Sequence, residues 1–334
     1  MVEIKNCPSS LAEGFNTYSP KSAKLLFGKT KVNSILGFDI DEFRNVGEIA
    51  DAMHRISVSG VQEKFSAIIN ADAINIAGDN ERSTHILKPA PWDKTLRDRK
   101  MIPANEHLTM QIASQIYGIQ TAANGLCFTP KGQPVYITRR FDILPDGSKL
   151  PMEDFASIIG KNEQTAGLLF KYNGSYEDIA KAIRANVAAW MVEMERFFEL
   201  VVFNYIYANG DDHLKNFSLI LNGQDYRLAP TYDLINISLH VNGDDFGLDG
   251  GLSSDIEKSD IYDRTGHPCR LDFERFGEKI GLVKKRIDRI LNKYTAFPEG
   301  AKRLVDHSFL TDKLKRNYVR IVNERISRFN RFSE

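Results

Sequence analysis

Cysteine is scarce in this sequence, with only Cys7, Cys127 and Cys269 among 334 residues. Because no two of them lie close together, a Cys-x-x-Cys redox or zinc motif and a disulfide framework are excluded. A long apolar run is also missing, since the most apolar region, residues 187–207, is interrupted by charged side chains and is too polar to span a membrane. The N-terminal residues lack the apolar core of a signal peptide, so we expect a cytoplasmic protein that binds no membrane.

An excess of charge of either sign is missing too. Lys plus Arg and Asp plus Glu both number 44, which gives zero net charge at pH 7. A protein that binds DNA unaided usually carries a basic excess, so direct DNA binding by this chain alone is not expected. The sequence also lacks a Gly-x-Gly-x-x-Gly fingerprint, and Gly28-Lys29-Thr30 lacks the upstream glycine of a P-loop. Neither a Rossmann site nor a P-loop is therefore predicted.

The hydrophobic periodicity changes along the chain. Strand-like runs separated by turns occupy residues 56–141, and helical periodicity dominates after residue 142. This order predicts an α+β fold with two lobes, a mixed, strand-rich N-lobe over residues 1–143 and a helical C-lobe over residues 144–334. The expected strands are 65–70, 84–88, 125–129, 134–141, 217–222 and 226–229, and the expected helices are 105–117, 176–185 and 187–208.

Two segments in the strand-rich part carry residue types that suit a nucleotide phosphate. Residues 57–64 place a glycine and small hydroxyl residues before a strand, where backbone N–H groups can surround an anion. A Ser/Gly turn without a ligand is the alternative. Lys88 ends a buried strand and needs either a counter-charge or solvent. Glu106 lies on the apolar stripe of the next helix and could face Lys88, the alternative being an acid favoured by the helix dipole.

The strongest local pattern is Asn209–Asn216, which follows a long apolar helix and precedes a strand. It contains Asp211 and ends in Asn216, and Asp233 follows after a hairpin. This order is typical of a phosphoryl-transfer site, in which the first Asp orients or deprotonates a hydroxyl and the Asn and second Asp bind Mg²⁺ through oxygen atoms. An Asn/Asp-rich turn without catalytic function is the alternative.

Six short segments, in the same order, resemble the HipA family of bacterial toxin Ser/Thr kinases. The resemblance implies a two-lobed, protein-kinase-like (HipA-like) fold with an all-helical C-lobe, and ATP and Mg²⁺ as cofactors. The matching segments are Ile56–Lys64, Leu87–Pro89, Arg140–Asp142, Glu153–Phe155, Asp211–Ser218 and Pro230–Asp233.

The same resemblance implies a role for each matching residue. Asp211 resembles the catalytic base, and Asn216 and Asp233 resemble the Mg²⁺ ligands. Lys88 resembles the lysine that binds the ATP phosphates. Arg139 stands where the family often has Glu, but hinge contacts to adenine usually come from the backbone, so ATP binding is still expected. The other implied ATP-site residues are Ser59, Gly60, Val61, Gln62, Glu63 and Lys64 in the phosphate loop, Arg140 and Phe141 in the hinge, His213, Leu214 and Lys215 in the catalytic loop, and Tyr232.

The region before the matching strands is shorter than in full-length family members. This resembles the short HipT type of three-part HipBST toxin–antitoxin systems, in which one small protein is similar to the missing subdomain and another is a DNA-binding antitoxin. The resemblance implies both partners, and an aminoacyl-tRNA synthetase as substrate. We expect the small protein to dock on an uncovered face beside residues 1–55. The alternatives are a small-molecule phosphotransferase and a catalytically silent module that only binds antitoxin.

The resemblance to the HipT type, which is autophosphorylated at two serines, implies that Ser57 and Ser59 are sites of autophosphorylation. Residues two apart in an extended loop point to the same side, and a phosphoserine adds about −1.5 to −2 charge at pH 7. Phosphate there should repel ATP and lower kinase activity. We expect intact mass with peptide mapping to find phosphate at Ser57 or Ser59 after incubation with ATP, and none on an Asp233→Gln variant. Phosphate only at other positions, or none on the wild type, would contradict the prediction.

Overall fold

A five-stranded antiparallel sheet forms the first part of the molecule. The computed structural model describes residues 3–29, 31–43, 63–78 and 80–331. The strand order is β2-β1-β3-β5-β4, with Phe65 opposite Leu87 and Lys88 opposite Tyr136. The strands are β1 Phe65–Asn70, β2 Ala73–Ile76, β3 His85–Lys88, β4 Asn124–Phe128 and β5 Pro134–Arg139.

The two faces of this sheet pack against different parts of the chain. Helix α2, Ile102–Tyr117, lies on the inner face and shares a core with the helices that follow the sheet. The outer face is covered by residues 18–40, whose apolar side chains form a second core with those of the strands. Within the described part of the chain, the uncovered face that we expected beside residues 1–55 is therefore not found on the sheet.

Helix α1, Pro20–Phe27, is the main element of this cover. Ser19 is its N-cap and its hydroxyl accepts a hydrogen bond from the backbone N–H of Ser22, while Pro20 takes the first turn, where its missing N–H costs nothing. Gly28 ends the helix with a φ of 70°, in the left-handed region that favours glycine. Gly28 is thus a helix C-cap, in agreement with the prediction that its tripeptide is no P-loop.

The remainder of the chain is mainly helical but not entirely so. A second antiparallel sheet of three strands, in the order β6-β7-β8, lies within it. The expectation of an all-helical C-lobe was therefore wrong. The physical reason is the tight turn at Asn222-Gly223, where Gly223 has a φ of 71° and returns the chain on itself. These strands are β6 Met152–Asp154, β7 Ser218–Asn222 and β8 Asp225–Leu228.

The helices of this part enclose one continuous core. Buried apolar side chains extend from Leu11 through α2 to Phe329, so the inner face of the large sheet and the helical part share their interior. None of the described helices is long and apolar enough to cross a membrane. The helices are α3 Phe155–Ile158, α4 Glu163–Ala166, α5 Tyr176–Asn186, α6 Trp190–Ile206, α7 Asp260–Thr265, α8 Arg270–Lys279, α9 Lys284–Leu291, α10 Glu299–His307 and α11 Asp312–Phe329.

Two adjacent leucines in α1 provide a direct test of the cover. Leu26 is 0% exposed against the outer face of the sheet, whereas Leu25 is 65% exposed. We expect Leu26→Ala to lower the free energy of unfolding by about 2–5 kcal/mol, the range for removing a buried leucine side chain. The matched control, Leu25→Ala, should change it by less than about 0.5 kcal/mol. Urea unfolding of both variants is the measurement, and equal effects would show that α1 does not pack as described.

Candidate active site

Lys88 lies at the centre of a buried ion triad. Side chains alternate across β3, so His85 and Leu87 face the outer side and Lys88 faces the inner side. Its ammonium donates to Glu106 Oε1 of α2 at 2.7 Å and also to Asp233 Oδ1. Because Lys88 and Glu106 are only 3% and 2% exposed, water contributes little to stabilising their charges. The prediction that Glu106 faces Lys88 is confirmed.

The charged groups of the triad shift each other's pKa values. Burial alone would lower the pKa of Lys88, but the carboxylates of Asp233 and Glu106 outweigh burial and raise that pKa above its usual range. Burial raises the pKa of Glu106 to about 7, against the opposing effect of Lys88. At neutral pH, Lys88 is therefore charged.

Asp233 reaches this triad from the segment that follows β8. Thr231 is held by two backbone hydrogen bonds, from its N–H to Gln120 O at 2.8 Å and from Ala122 N–H to its carbonyl at 2.9 Å. Asp233 itself has a φ of 59°, which is uncommon for a residue with a side chain. The turn places its carboxylate between two ammonium groups, since Lys64 Nζ lies 3.3 Å from Oδ2. Burial would raise the pKa of Asp233, but Lys64 and Lys88 hold it well below its usual range.

The predicted catalytic loop follows α6. Asp211 is 9% exposed, and its Oδ1 accepts a hydrogen bond from Tyr172 Oη at 2.8 Å. Its neighbour Asp212 is 2% exposed and accepts hydrogen bonds from Asn204 Nδ2 at 2.8 Å and from the backbone N–H of Gly247 at 3.0 Å. Burial raises the pKa of Asp212 to about 7, in opposition to these donors. Asp212 is thus an internal anchor, and Asp211 lies beside it at the surface of the cleft.

The rest of the catalytic loop lies beside the triad. Burial, together with the charge of Lys171, lowers the pKa of His213 to about 3, so this imidazole is neutral near pH 7. Leu214 is buried, and Lys215 and Asn216 complete a short 3₁₀ turn. Tyr232 Oη donates to Lys215 O at 2.9 Å and so ties this turn to the residue that precedes Asp233.

The acids of the two parts of the site act on a common lysine, Lys171. The charges of Asp211 and Asp233 both act on the pKa of Lys171, which burial lowers. Asp233 also acts on His213. Asp211 and Asp233 therefore both lie near Lys171.

The predicted hinge residues have different environments. The guanidinium of Arg140 binds both carboxylate oxygens of Asp142, at 3.0 and 2.7 Å, and its backbone N–H donates to Thr84 O at 2.9 Å. The ring of Phe141 stacks on Tyr232 with centroids 6.0 Å apart. The Arg139 side chain donates to Leu25 O at 3.3 Å, on the α1 side of the sheet. The backbone N–H of Arg139 donates to Ala123 O at 2.8 Å within the sheet, and the contact of this segment with adenine stays a prediction.

Several predicted positions cannot be placed. Glu63 and Lys64 are described, but the phosphate-loop residues before them, Ser57, Ser59, Gly60, Val61 and Gln62, lie outside the described residues. Among the described residues, no group of three or more His, Cys, Asp or Glu side chains is arranged to hold a metal ion. Asp233 and Asn216 nevertheless offer the carboxylate and amide oxygens that suit Mg²⁺, which proteins often bind through only one or two carboxylates plus substrate phosphates.

Three residues of the site were not among the predicted ones. Tyr172 contacts Asp211 directly, Lys171 faces both acids, and Asp212 anchors the loop. Asp212 was visible as a second acid next to Asp211, but nothing local distinguishes a buried acid from an exposed one. Lys171 and Tyr172 come from a segment far from the motif in sequence, so only the fold brings them together.

With this geometry in place, comparison with known proteins identifies the family. The profile of the HipA-like C-terminal domain matches residues 56–300, which is more than half of the chain. The chain therefore belongs to the HipA-like C-terminal domain family. A relative from Haemophilus influenzae that bears the name "Putative kinase" is 27% identical over 322 residues, covering 91% of this chain and 90% of that protein.

Other relatives are longer than the region they share with this chain. The Ser/Thr-protein kinase toxin HipA of Shewanella oneidensis is 23% identical over 64% of this chain, and the match covers 51% of that protein. A solved structure of Shewanella oneidensis HipA with HipB and operator DNA superposes with a TM-score of 0.62 at 15% identity, covering 87% of this chain and 66% of that one. This chain thus spans about half of the curated HipA toxin and two thirds of the solved HipA chain.

These comparisons support a kinase-like function and a mixed α/β, HipA-like fold. Kinase-like relatives imply ATP and a divalent metal in general terms. The assignments of individual site residues depend on the geometry described above.

The raised pKa of Glu106 predicts a pH-dependent stability. The folded protein holds this proton more tightly than the unfolded chain, since the pKa rises from 4.5 to about 7. The stabilising contribution is therefore fully present below the unfolded pKa and disappears as pH rises through the folded one. We expect the free energy of unfolding of the wild type, relative to Glu106→Gln, to fall by roughly 1–3 kcal/mol between about pH 5 and about pH 8.

Urea unfolding at the two pH values measures this difference. The exposed Glu278 of α8 supplies a matched control. Glu278→Gln should differ from the wild type by the same amount at both pH values. A pH-independent difference for Glu106→Gln as well would show that Glu106 has its ordinary pKa.

Proposed function

We propose that this chain is an ATP- and Mg²⁺-dependent Ser/Thr protein kinase that acts as a toxin of the short HipT type. The observation that carries the proposal is the Lys88–Glu106–Asp233 triad, with Lys171 close to both Asp211 and Asp233. We assign residues 1–143 to the nucleotide-binding N-lobe and residues 144–334 to the C-lobe of a two-lobed kinase. The sheet that carries Lys88 and the loop that carries Asp211 belong to these two parts.

The nucleotide side of the reaction is assigned to charged groups. Lys88 and the loop of residues 57–64 would hold the ATP phosphates, with the hinge at residues 139–141 beside adenine. Asn216 and Asp233 would hold Mg²⁺, which when bound neutralises charge on the phosphate oxygens. Because Lys88 and Lys64 already hold Asp233 ionised, this carboxylate needs no deprotonation to act as a ligand.

The acceptor side is assigned to Asp211. Its carboxylate would accept a hydrogen bond from the serine hydroxyl and take the proton as the serine oxygen bonds to the γ-phosphorus. The bond between that phosphorus and the bridging oxygen breaks, and ADP leaves with the electron pair. The hydrogen bond from Tyr172 holds Asp211 in a fixed orientation during this transfer. His213, which is neutral, adds no competing charge beside the base.

The substrate and partners are proposed from the family. We assign an aminoacyl-tRNA synthetase as substrate, a DNA-binding antitoxin as one partner and a small subdomain-like protein as another. The Shewanella oneidensis HipA structure, which contains HipB and operator DNA, supports the DNA-binding antitoxin. Since residues 18–40 cover the outer face of the sheet, the small protein would bind outside this cover, where Leu25 is exposed.

Two substitutions test the proposed roles separately. We expect Asp211→Ala to lower kcat by roughly 10²–10⁴-fold with little change in ATP affinity, because a positioned general base contributes that much. Asp233→Asn should abolish transfer and weaken Mg²⁺-dependent ATP binding. Transfer from radiolabelled ATP to protein substrate, with ATP affinity by calorimetry, measures both effects.

The exposed Asp225 in β8 provides the control, since Asp225→Asn should behave as the wild type. An Asp211→Ala variant that loses ATP binding instead of turnover would exchange the two roles. Transfer only to small molecules would favour a small-molecule phosphotransferase. No transfer by the wild type would favour a silent antitoxin-binding module.

A further inference from the structure

Residues 244–247 join the predicted catalytic loop to the C-terminal helix. They belong to the segment that follows Asp233 and the 3₁₀ turn at Ile237–Leu239. The segment crosses directly over Gly210 and Asp212. It borders a cleft of about 1070 Å³ that Asp211 and α11 also line. Residues 244–247, called the bridge below, therefore contact the loop of the proposed base Asp211 on one side and α11 on the other.

The contact with the catalytic loop is made by backbone atoms. The N–H of Gly247 donates to Asp212 Oδ1 at 3.0 Å and to Tyr176 Oη at 3.2 Å. A Cβ on Gly247 would lie 2.5 Å from the backbone N of Asp212, and a Cβ on Gly210 would lie 2.3 Å from the carbonyl O of Asp244. The two segments approach so closely that neither glycine position has room for a side chain, and a shift of one moves the other.

The contact with the C-terminal helix is made by charge. Asp245 is 11% exposed and Arg325 of α11 is 6% exposed, and the two form an ion pair. Asp245 also accepts from His267 Nδ1 at 2.7 Å, and Arg328 Nη1 lies 3.7 Å away. Arg325 packs over the ring of Tyr205 as well, with its guanidinium carbon 5.2 Å from the centroid. A buried guanidinium with a carboxylate and an aromatic ring as neighbours has a fixed position.

Between these two contacts, Phe246 fixes the bridge to the core. Its ring packs against Tyr176, Tyr205 and Phe273, with centroids 5.7, 5.8 and 6.2 Å apart. Tyr176 in turn donates to Asp212 Oδ1 at 2.5 Å. Phe246 and Gly247 thus provide two routes of contact from Arg325 of α11 to Asp212.

We infer that Asp245 and Arg325 are positioning residues of the phosphoryl-transfer site, which hold Asp211 in place through the bridge of residues 244–247. The inference rests on the proposed function of Asp211, but the geometry of the bridge does not. The C-terminal helix is then part of the catalytic apparatus, although none of its residues needs to touch ATP. Loss of the Asp245–Arg325 pair would leave the nucleotide side intact and misplace the base.

The test compares four variants with the wild type. Arg325→Met removes the pair, and Asp245→Asn combined with Arg325→Met removes it without leaving a buried charge uncompensated. Arg316→Met is the matched control, an exposed arginine of the same helix. We expect kcat to fall roughly 10–100-fold in the first two, the effect of a small misplacement of a catalytic group. The KM for ATP should stay within about twofold of the wild type, and Arg325→Lys should recover part of the lost kcat.

Hydrogen exchange measured by mass spectrometry supplies a readout that does not depend on activity. Amides of residues 208–216 should exchange faster than in the wild type in both variants that remove the pair. In Arg316→Met they should exchange at the wild-type rate. Unchanged kcat in the double variant, or faster exchange spread evenly over all peptides with a parallel rise in KM, would overturn the inference. A wild type without transfer activity would instead overturn the proposed function, and the exchange data would still decide whether the bridge holds the loop.

Discussion

One ammonium group held between two carboxylates is the interaction on which the candidate site depends. Lys88 is nearly inaccessible to water, and burial of an unpaired charge costs several kcal/mol. Its position in the interior is tolerated only because Glu106 of α2 and Asp233 of the segment after β8 approach it from two sides. The triad therefore links the large sheet, its covering helix and the helical part of the chain. Asp233, one of the two carboxylates that compensate Lys88, is also the proposed metal ligand. Lys88 and the metal ion would therefore interact with the same carboxylate.

The acceptor side of the site is built on a different principle. Asp212 is fixed by donors from α5, α6 and the segment around Gly247, all inside the core. Hydrogen bonds to a buried carboxylate are short, directional and protected from water, so they restrict the loop in orientation as well as in position. Because Asp211 is the adjacent residue in the chain, the hydrogen bonds of Asp212 also restrict the backbone of Asp211. The side chain of Asp211 is held in addition by its hydrogen bond from Tyr172. If Asp211 is the base, as proposed, these contacts keep its orientation whether or not an acceptor is bound.

The sequence was sufficient for features that periodicity and spacing encode. The strand Phe65–Asn70, the helix ending at Tyr117 and the opposition of Lys88 and Glu106 follow from side-chain alternation and are found in the structure. Strand β2 and the pairing of Met152–Asp154 with β7 were missed, because strands of three or four residues are too short to show a distinct pattern. The approach of Gly210 to Asp244 could not be predicted either. A contact between two backbones affects the sequence only by requiring a glycine. Because glycines also occur in turns and helix caps, a glycine alone does not predict such a contact.

The two sides of the site should therefore respond differently to their surroundings. Asp233 is held by Lys64 and Lys88, with 52% of the Lys64 side chain exposed, so part of this attraction is screened by salt. The hydrogen bonds on Asp212 lie in the interior, and the Asp245–Arg325 pair is only 11% and 6% exposed, so salt screens both less than it screens Lys64. The proposed nucleotide side would thus exchange partners when phosphate charges arrive, while the proposed acceptor side would stay fixed. Phosphoryl transfer needs this combination, because the phosphates must be admitted and neutralised, whereas the base must already be in line when they arrive.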